Sequence, residues 1–124
     1  MTIRTVYVIE DNKFGKSITE WTEGKRIEAV PVDQKNNDLV DDVDAIVVFH
    51  ENHNFSKEDE ETHEYLTENN KPGYKVDING TLAATNSNFT MWLERNRPKS
   101  LLILGQDDVA KNPNFKRFLE SIGK

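Results

Sequence analysis

The chain has 124 residues, 35% of them hydrophobic and 31% charged, with a formal net charge of −6 and a pI near 5.1. That is enough for one ordinary domain with one core, and six Phe, three Tyr and two Trp can anchor it, which excludes wholesale disorder. The acidic balance without a basic patch excludes nucleic-acid binding by counterion release, the lack of cysteine excludes disulfides and thiolate chemistry, and no window approaches a membrane span, so a soluble cytoplasmic protein is expected.

In chain order, Val6-Tyr7-Val8-Ile9 is the first strand candidate, followed by a helical stretch with Phe14, Ile18 and Trp21 at i, i+4, i+7. Ile27, Ala29 and Val30-Pro31-Val32 alternate, and alternation with a proline marks an edge strand. Residues 33–43 hold at most one short helical turn. Ala45-Ile46-Val47-Val48-Phe49 is a continuous apolar run, as expected of a strand covered on both faces. Residues 57–69 form a loosely held surface helix anchored by Tyr65 and Leu66, and 68–73 is a turn. Tyr74, Val76 and Ile78 alternate again and point to a second edge. Phe89, Trp92 and Leu93 give the next helix, Leu101-Leu102-Ile103-Leu104 a second continuous strand, and Phe115, Phe118, Leu119 and Ile122 the last helix.

This alternation predicts a single α/β domain over 1–124: a three-layer α/β/α sandwich around a doubly wound, mostly parallel five-stranded sheet of the flavodoxin/Rossmann-like class. In flavodoxin-like order the fifth strand is an edge, yet 101–104 reads as the more buried. Asn79-Gly80 is also a type I′ turn signal, so an antiparallel edge hairpin near 74–85 would reconcile the two facts.

A local pattern recurs. Asn52-His53-Asn54-Phe55, Asn86-Ser87-Asn88-Phe89 and Asn112-Pro113-Asn114-Phe115 share the form Asn-x-Asn-Phe, and Asp11-Asn12-Lys13-Phe14 is a looser relative. Asparagine is a strong helix N-cap and phenylalanine just inside can fix the entry angle, so the recurrence reads as a helix-start device. Ser56 with Asp59 forms a looser capping box after the first copy.

Ligands of open α/β sheets bind beyond the carboxyl ends of the strands, where this chain carries Glu10-Asp11-Asn12, Asp33, His50-Glu51, Asp77 and Gln106-Asp107-Asp108. Polar loop residues account for the histidine-rich His50-Glu51-Asn52-His53; the alternative is a divalent cation (Mg²⁺, Mn²⁺ or Zn²⁺) on Glu10, Asp11, His50 and His53. Residues 10–17 end in Gly-Lys-Ser as a P-loop does, but Glu10 stands where the loop needs glycine, and its carboxylate would repel phosphate. Residues 79–88 precede an expected helix start and suit either an ordinary cap or an anion site. A small phosphorylated ligand or nucleotide would then meet Asp11, Lys13, Lys16, Ser17, Thr85 and Ser87.

Val6-Tyr7-Val8-Ile9-Glu10-Asp11-Asn12 resembles the first strand and acidic pair of response-regulator receiver domains. That family's phospho-accepting aspartate would end the third strand, where Phe49-His50 stands, so the resemblance implies a receiver-like shell without the phosphorylation chemistry. With no complete catalytic constellation, the expected function is a non-enzymatic regulatory or protein-interaction module whose protein partner has a basic surface. The alternative is a small-molecule sensor or metal-dependent enzyme using the strand-end crevice.

Overall fold

The computed structural model describes residues 3–9, 12–34 and 38–122. In chain order the elements are β1 (Thr5–Ile9), α1 (Lys13–Thr22), β2 (Glu28–Val32), α2 (Leu39–Asp42), β3 (Ala45–His50), α3 (Lys57–Glu68) and β4 (Gly73–Asp77). Then follow α4 (Leu82–Asn96), β5 (Ser100–Gly105), α5 (Asp107–Lys111) and α6 (Pro113–Ile122). The five strands form one parallel sheet in the order β2-β1-β5-β3-β4.

The continuous apolar runs lie inside the sheet because they are covered on both faces. Every residue of β3 is buried, and so is β5 from Leu101 onward. These two strands are neighbours, with Ala45 opposite Leu101 and Phe49 opposite Gly105. The alternating stretches became the edges, β2 and β4.

Right-handed crossovers decide which face each helix covers. The steps β1→β2 and β4→β5 run one way across the sheet, and the steps β2→β3 and β3→β4 run the other. Helices α1 and α4 therefore share one face with α5 and α6, while α2 and α3 cover the opposite face. The core divides accordingly. On the first face Phe49 packs against Phe14, Phe115 and Phe118, at centroid separations of 5.8, 5.3 and 5.5 Å. On the second face Leu39, Val43 and Leu66 cover Ile46, Val48 and Leu102. Each such buried side chain contributes roughly 1.5–3 kcal/mol.

The hairpin expected near 74–85 does not form. β4 runs parallel to β3, and Asn79-Gly80 turns the chain into α4 instead: Asp77 Oδ1 accepts the Asn79 N–H at 3.0 Å, and Gly80 N–H donates to the Asp77 carbonyl at 3.3 Å. The buried character of 101–104 has a different cause, since β5 inserts between β1 and β3 at the centre of the sheet.

The Asn-x-Asn-Phe segments behave unequally. Asn12 caps α1, its side chain accepting the Gly15 N–H at 3.0 Å, and Asn112 Oδ1 accepts the Asn114 N–H at the start of α6. The copy at 52–55 precedes α3, but the cap itself is Ser56, which accepts the Asp59 N–H at 3.0 Å as the capping-box reading requires. The copy at 86–89 lies inside α4, whose N-cap is Thr81. Leu82-Ala83-Ala84 supplies good helix formers, so the helix begins upstream of those asparagines.

Candidate functional site

A crevice of about 300 Å³ opens at the carboxyl edge of the sheet, where the connections after β1 and β5 leave toward one face and the connection after β3 leaves toward the other. Three helix starts meet around it. Asn12 caps α1, Ser56 caps α3, and Gln106 stands at the N-cap of α5; all three line the crevice. Gln34, two residues past the end of β2, closes a further side.

Four carboxylates complete the lining: Glu58 and Asp59 from the first turn of α3, and Asp107 and Asp108 from the first turn of α5. At those positions negative charge complements the helix dipole. Asp107 does more, because its Oδ1 accepts the backbone N–H of Phe14 at 3.3 Å and so serves α1 as well as α5. Among the described lining residues none is lysine, arginine or histidine.

Two glycines permit this close assembly. A Cβ on Gly15 would lie 2.7 Å from the Ile9 carbonyl oxygen, so the first turn of α1 could not sit against the end of β1. A Cβ on Gly105 would lie 2.5 Å from the Phe14 ring. Gly15 thus relieves crowding at the helix start, and its N–H donates to Asn12 Oδ1.

Asp59 is 6% exposed, and burial pushes its carboxyl above the usual range. Hydrogen bonds from Gln34 and Ser56 work against that shift by favouring the ionised form. Gln34 Nε2 donates to Asp59 Oδ1 at 2.8 Å and to Thr62 Oγ1 at 3.2 Å, which ties the β2 connection to α3.

The residues singled out in the sequence are spread more widely. Glu10 and Asp11 lie outside the described residues. Lys13 and Lys16 are exposed on α1, and Ser17 donates to the Lys13 carbonyl at 3.2 Å. Ser17 faces a separate hollow between α1 and α6, floored by Trp21, Phe115 and Leu119. Thr85 and Ser87 sit within α4, with Thr85 N–H donating to the Thr81 carbonyl and Ser87 exposed. Helix α6 is bonded to both α1 and α4, through Trp21 to Leu119 and Asn86 to Ser121. Thr85 and Ser87 therefore do not line the hollow that holds Ser17.

His50 is 2% exposed at the end of β3. Its Nδ1 accepts the His53 backbone N–H at 3.0 Å, which leaves the ring proton on Nε2 and occupies Nδ1. The two imidazoles stack, with centroids 5.1 Å apart and an interplanar angle of 26°, and the His50 ring also lies 4.5 Å from that of Phe55. Burial lowers the His50 pKa, as does the nearby charge of Lys75, while Asp77 works to raise it. Asn52 and His53 hold positive φ angles of 52° and 65°, so the Nδ1 bond pins a strained turn. Among the described residues no group of three or more histidine, aspartate or glutamate side chains is placed to hold a metal ion.

Sequence reasoning placed Asn12, Asp107 and Asp108 at the strand ends but missed Gln34, Ser56, Glu58 and Asp59 as neighbours of theirs. The Ser56–Asp59 capping box was the available signal, since it marks a helix start directly after the third strand. No helix among the described residues is long and apolar enough to cross a membrane. Comparison of the chain with protein-family models, curated proteins and solved structures finds no match.

Proposed function

We propose that this protein is a non-enzymatic interaction module whose strand-end crevice receives a cationic group, a lysine or arginine side chain, from a partner with a basic surface. The observation that carries this reading is the lining itself: Glu58, Asp59, Asp107 and Asp108 around one opening, with no described cation among them. Gln34 and Ser56 supply carbonyl and hydroxyl acceptors beside those carboxylates, and a guanidinium or ammonium is all donor. The net charge of −6 favours fast, salt-sensitive association with such a partner.

The arrangement argues against a phosphorylated ligand there. Phosphate binds helix starts whose N–H groups and dipole are unsatisfied, and these starts already carry the chain's own carboxylates. Of the residues that could meet a phosphate, Lys13 and Lys16 stand exposed on α1 and Ser17 lines the separate hollow against α6.

The test is fluorescence anisotropy with a labelled arginine- and lysine-rich peptide, an acidic peptide as control, at low and at 0.15 M salt. The basic peptide should bind, weaken as the Debye length shrinks to about 8 Å, and lose roughly 10-fold or more in affinity in Asp108→Asn/Glu58→Gln. Equal binding by that variant would overturn the reading, as would saturation by a small amine or Mg²⁺ with no peptide binding.

A further inference from the structure

The sheet has two edges, and among the described residues only one of them is blunted. In β2 the Glu28 N–H donates inward to Arg4 of the neighbouring segment, so alternation turns the peptide nitrogens of Ala29 and Pro31 outward. Pro31 has no N–H, and a proline so placed interrupts the row of donors that another strand would need. In β4 the Ile46 N–H donates to the Pro72 carbonyl, and the Ile78 N–H donates to the His50 carbonyl. The peptide groups of Tyr74 and Val76 therefore face β3, and those of Gly73, Lys75 and Asp77 face outward. No proline interrupts them. The Asp77 carbonyl also accepts the Gly80 N–H, at 3.3 Å, and retains a second lone pair.

We propose that this edge is a homodimer interface in which β4 pairs antiparallel with β4 of a second copy about a two-fold axis at Val76. The occupant follows from charge complementarity. With the axis at Val76, Lys75 stands opposite Asp77 of the second copy, and the symmetric pair repeats it. Both residues present outward peptide groups, so each opposing pair exchanges two backbone hydrogen bonds. An axis at Lys75 would oppose two lysines, and an axis at Asp77 two aspartates; each arrangement is destabilising. Lys75 does not guard the edge by extending over it, since its Nζ lies 4.6 Å from the centre of the Phe55 ring, on the face of the sheet.

The flanking helix supports the same occupant. Met91, 57% exposed, is the most exposed large apolar side chain among the described residues. It lies on α4 beside Trp92, whose ring stacks on Tyr74 of β4 at 5.5 Å. A two-fold pairing of β4 sets the two α4 helices side by side on one face, where Met91 gains cover. The carboxylate crevice lies toward β1 and β5, so both copies keep it open.

Sedimentation equilibrium of the full chain over 10 µM to 1 mM tests the pairing, together with amide hydrogen exchange at both concentrations. The expected result is a mass of twice 14.3 kDa at high concentration, with Gly73, Lys75 and Asp77 amides protected only there. Lys75→Glu places like charges opposite one another and should weaken dimerisation roughly 10-fold or more, with the dilute monomer still folded by circular dichroism. Lys75→Pro, which copies the device in β2, should abolish it. A monomer at 1 mM would overturn the proposal. So would a dimer indifferent to both substitutions, or one whose outward β4 amides exchange freely.

Discussion

Asp107 and Phe14 are 93 residues apart, yet the carboxylate of one accepts the backbone N–H of the other at 3.3 Å. The first turn of α1 is thereby supplied with an anion from the chain itself. That segment ends in Gly-Lys-Ser, and the backbone N–H of Phe14 within it is already partnered by Asp107.

Removal of that anion should therefore have two effects. Asp107→Ala is expected to cost about 1 kcal/mol through a lost cap and a lost favourable charge at α1. It should also make stability responsive to sulfate. Chemical denaturation with and without sulfate checks both, the wild type serving as the reference that gains less from the anion.

Asp59 is a buried carboxylate whose ionisation is disfavoured by its surroundings, at the mouth of the proposed binding crevice. Asp59→Asn keeps an acceptor for Gln34 and for the α3 cap while removing the charge. The expected outcome is a higher melting temperature at pH 7 together with weaker binding of a basic peptide. A gain in stability at the expense of binding is the pattern of a residue retained for function. Parallel melting and anisotropy measurements on the one variant decide it.

Stability should also depend on pH through two histidines, the buried His50 and the half-buried His63. His50 and His63 both have pKa values lowered from the usual 6.5, primarily by burial. The folded state therefore takes up fewer protons than the unfolded chain, and the contribution is complete above 6.5 and lost as pH falls through the lowered values. Protonation of His50 also removes the acceptor for His53 N–H and sets a cation beside His53 and Lys75, with Asp77 as counter-charge. Asp59 acts in the opposite sense: its raised pKa contributes stability below 3.8 that is lost as pH rises through the raised value. Denaturant titrations from pH 8 to 5 should show a decline of at most about 1.4 kcal/mol per pH unit for each histidine, with a smaller slope in His63→Gln.

Much of the architecture was legible because burial writes a pattern into the strands. Ala45–Phe49 and Leu101–Leu104 read as uninterrupted apolar runs and occupy the middle of the sheet; the alternating segments with Pro31 and Tyr74 occupy its edges. Helix caps were equally local. Asn12 and Ser56 act within three residues of themselves, so their roles follow from neighbours in sequence. Asn79-Gly80 carries a hairpin signal, but the chain had to return from β4 to the sheet centre by a right-handed crossover, and that requires a helix over the face rather than a reversing strand. The same step moved the start of α4 to Leu82 and left Asn86 and Asn88 inside it.

The site was less legible than the fold because it is built from residues that share no segment. The sequence alone determined the alternation of strands and helices, which strands would be covered on both faces, and the caps at Asn12 and Ser56. Tertiary structure decided that β5 enters between β1 and β3, and this placement brings Asp107 and Asp108 beside Asn12, Gln34 and Asp59. Hydrophobic periodicity reports how deeply a strand is buried, but it carries no label for its neighbour. Which carboxylates face one another is therefore settled by strand order, and strand order by the packing of the whole sheet.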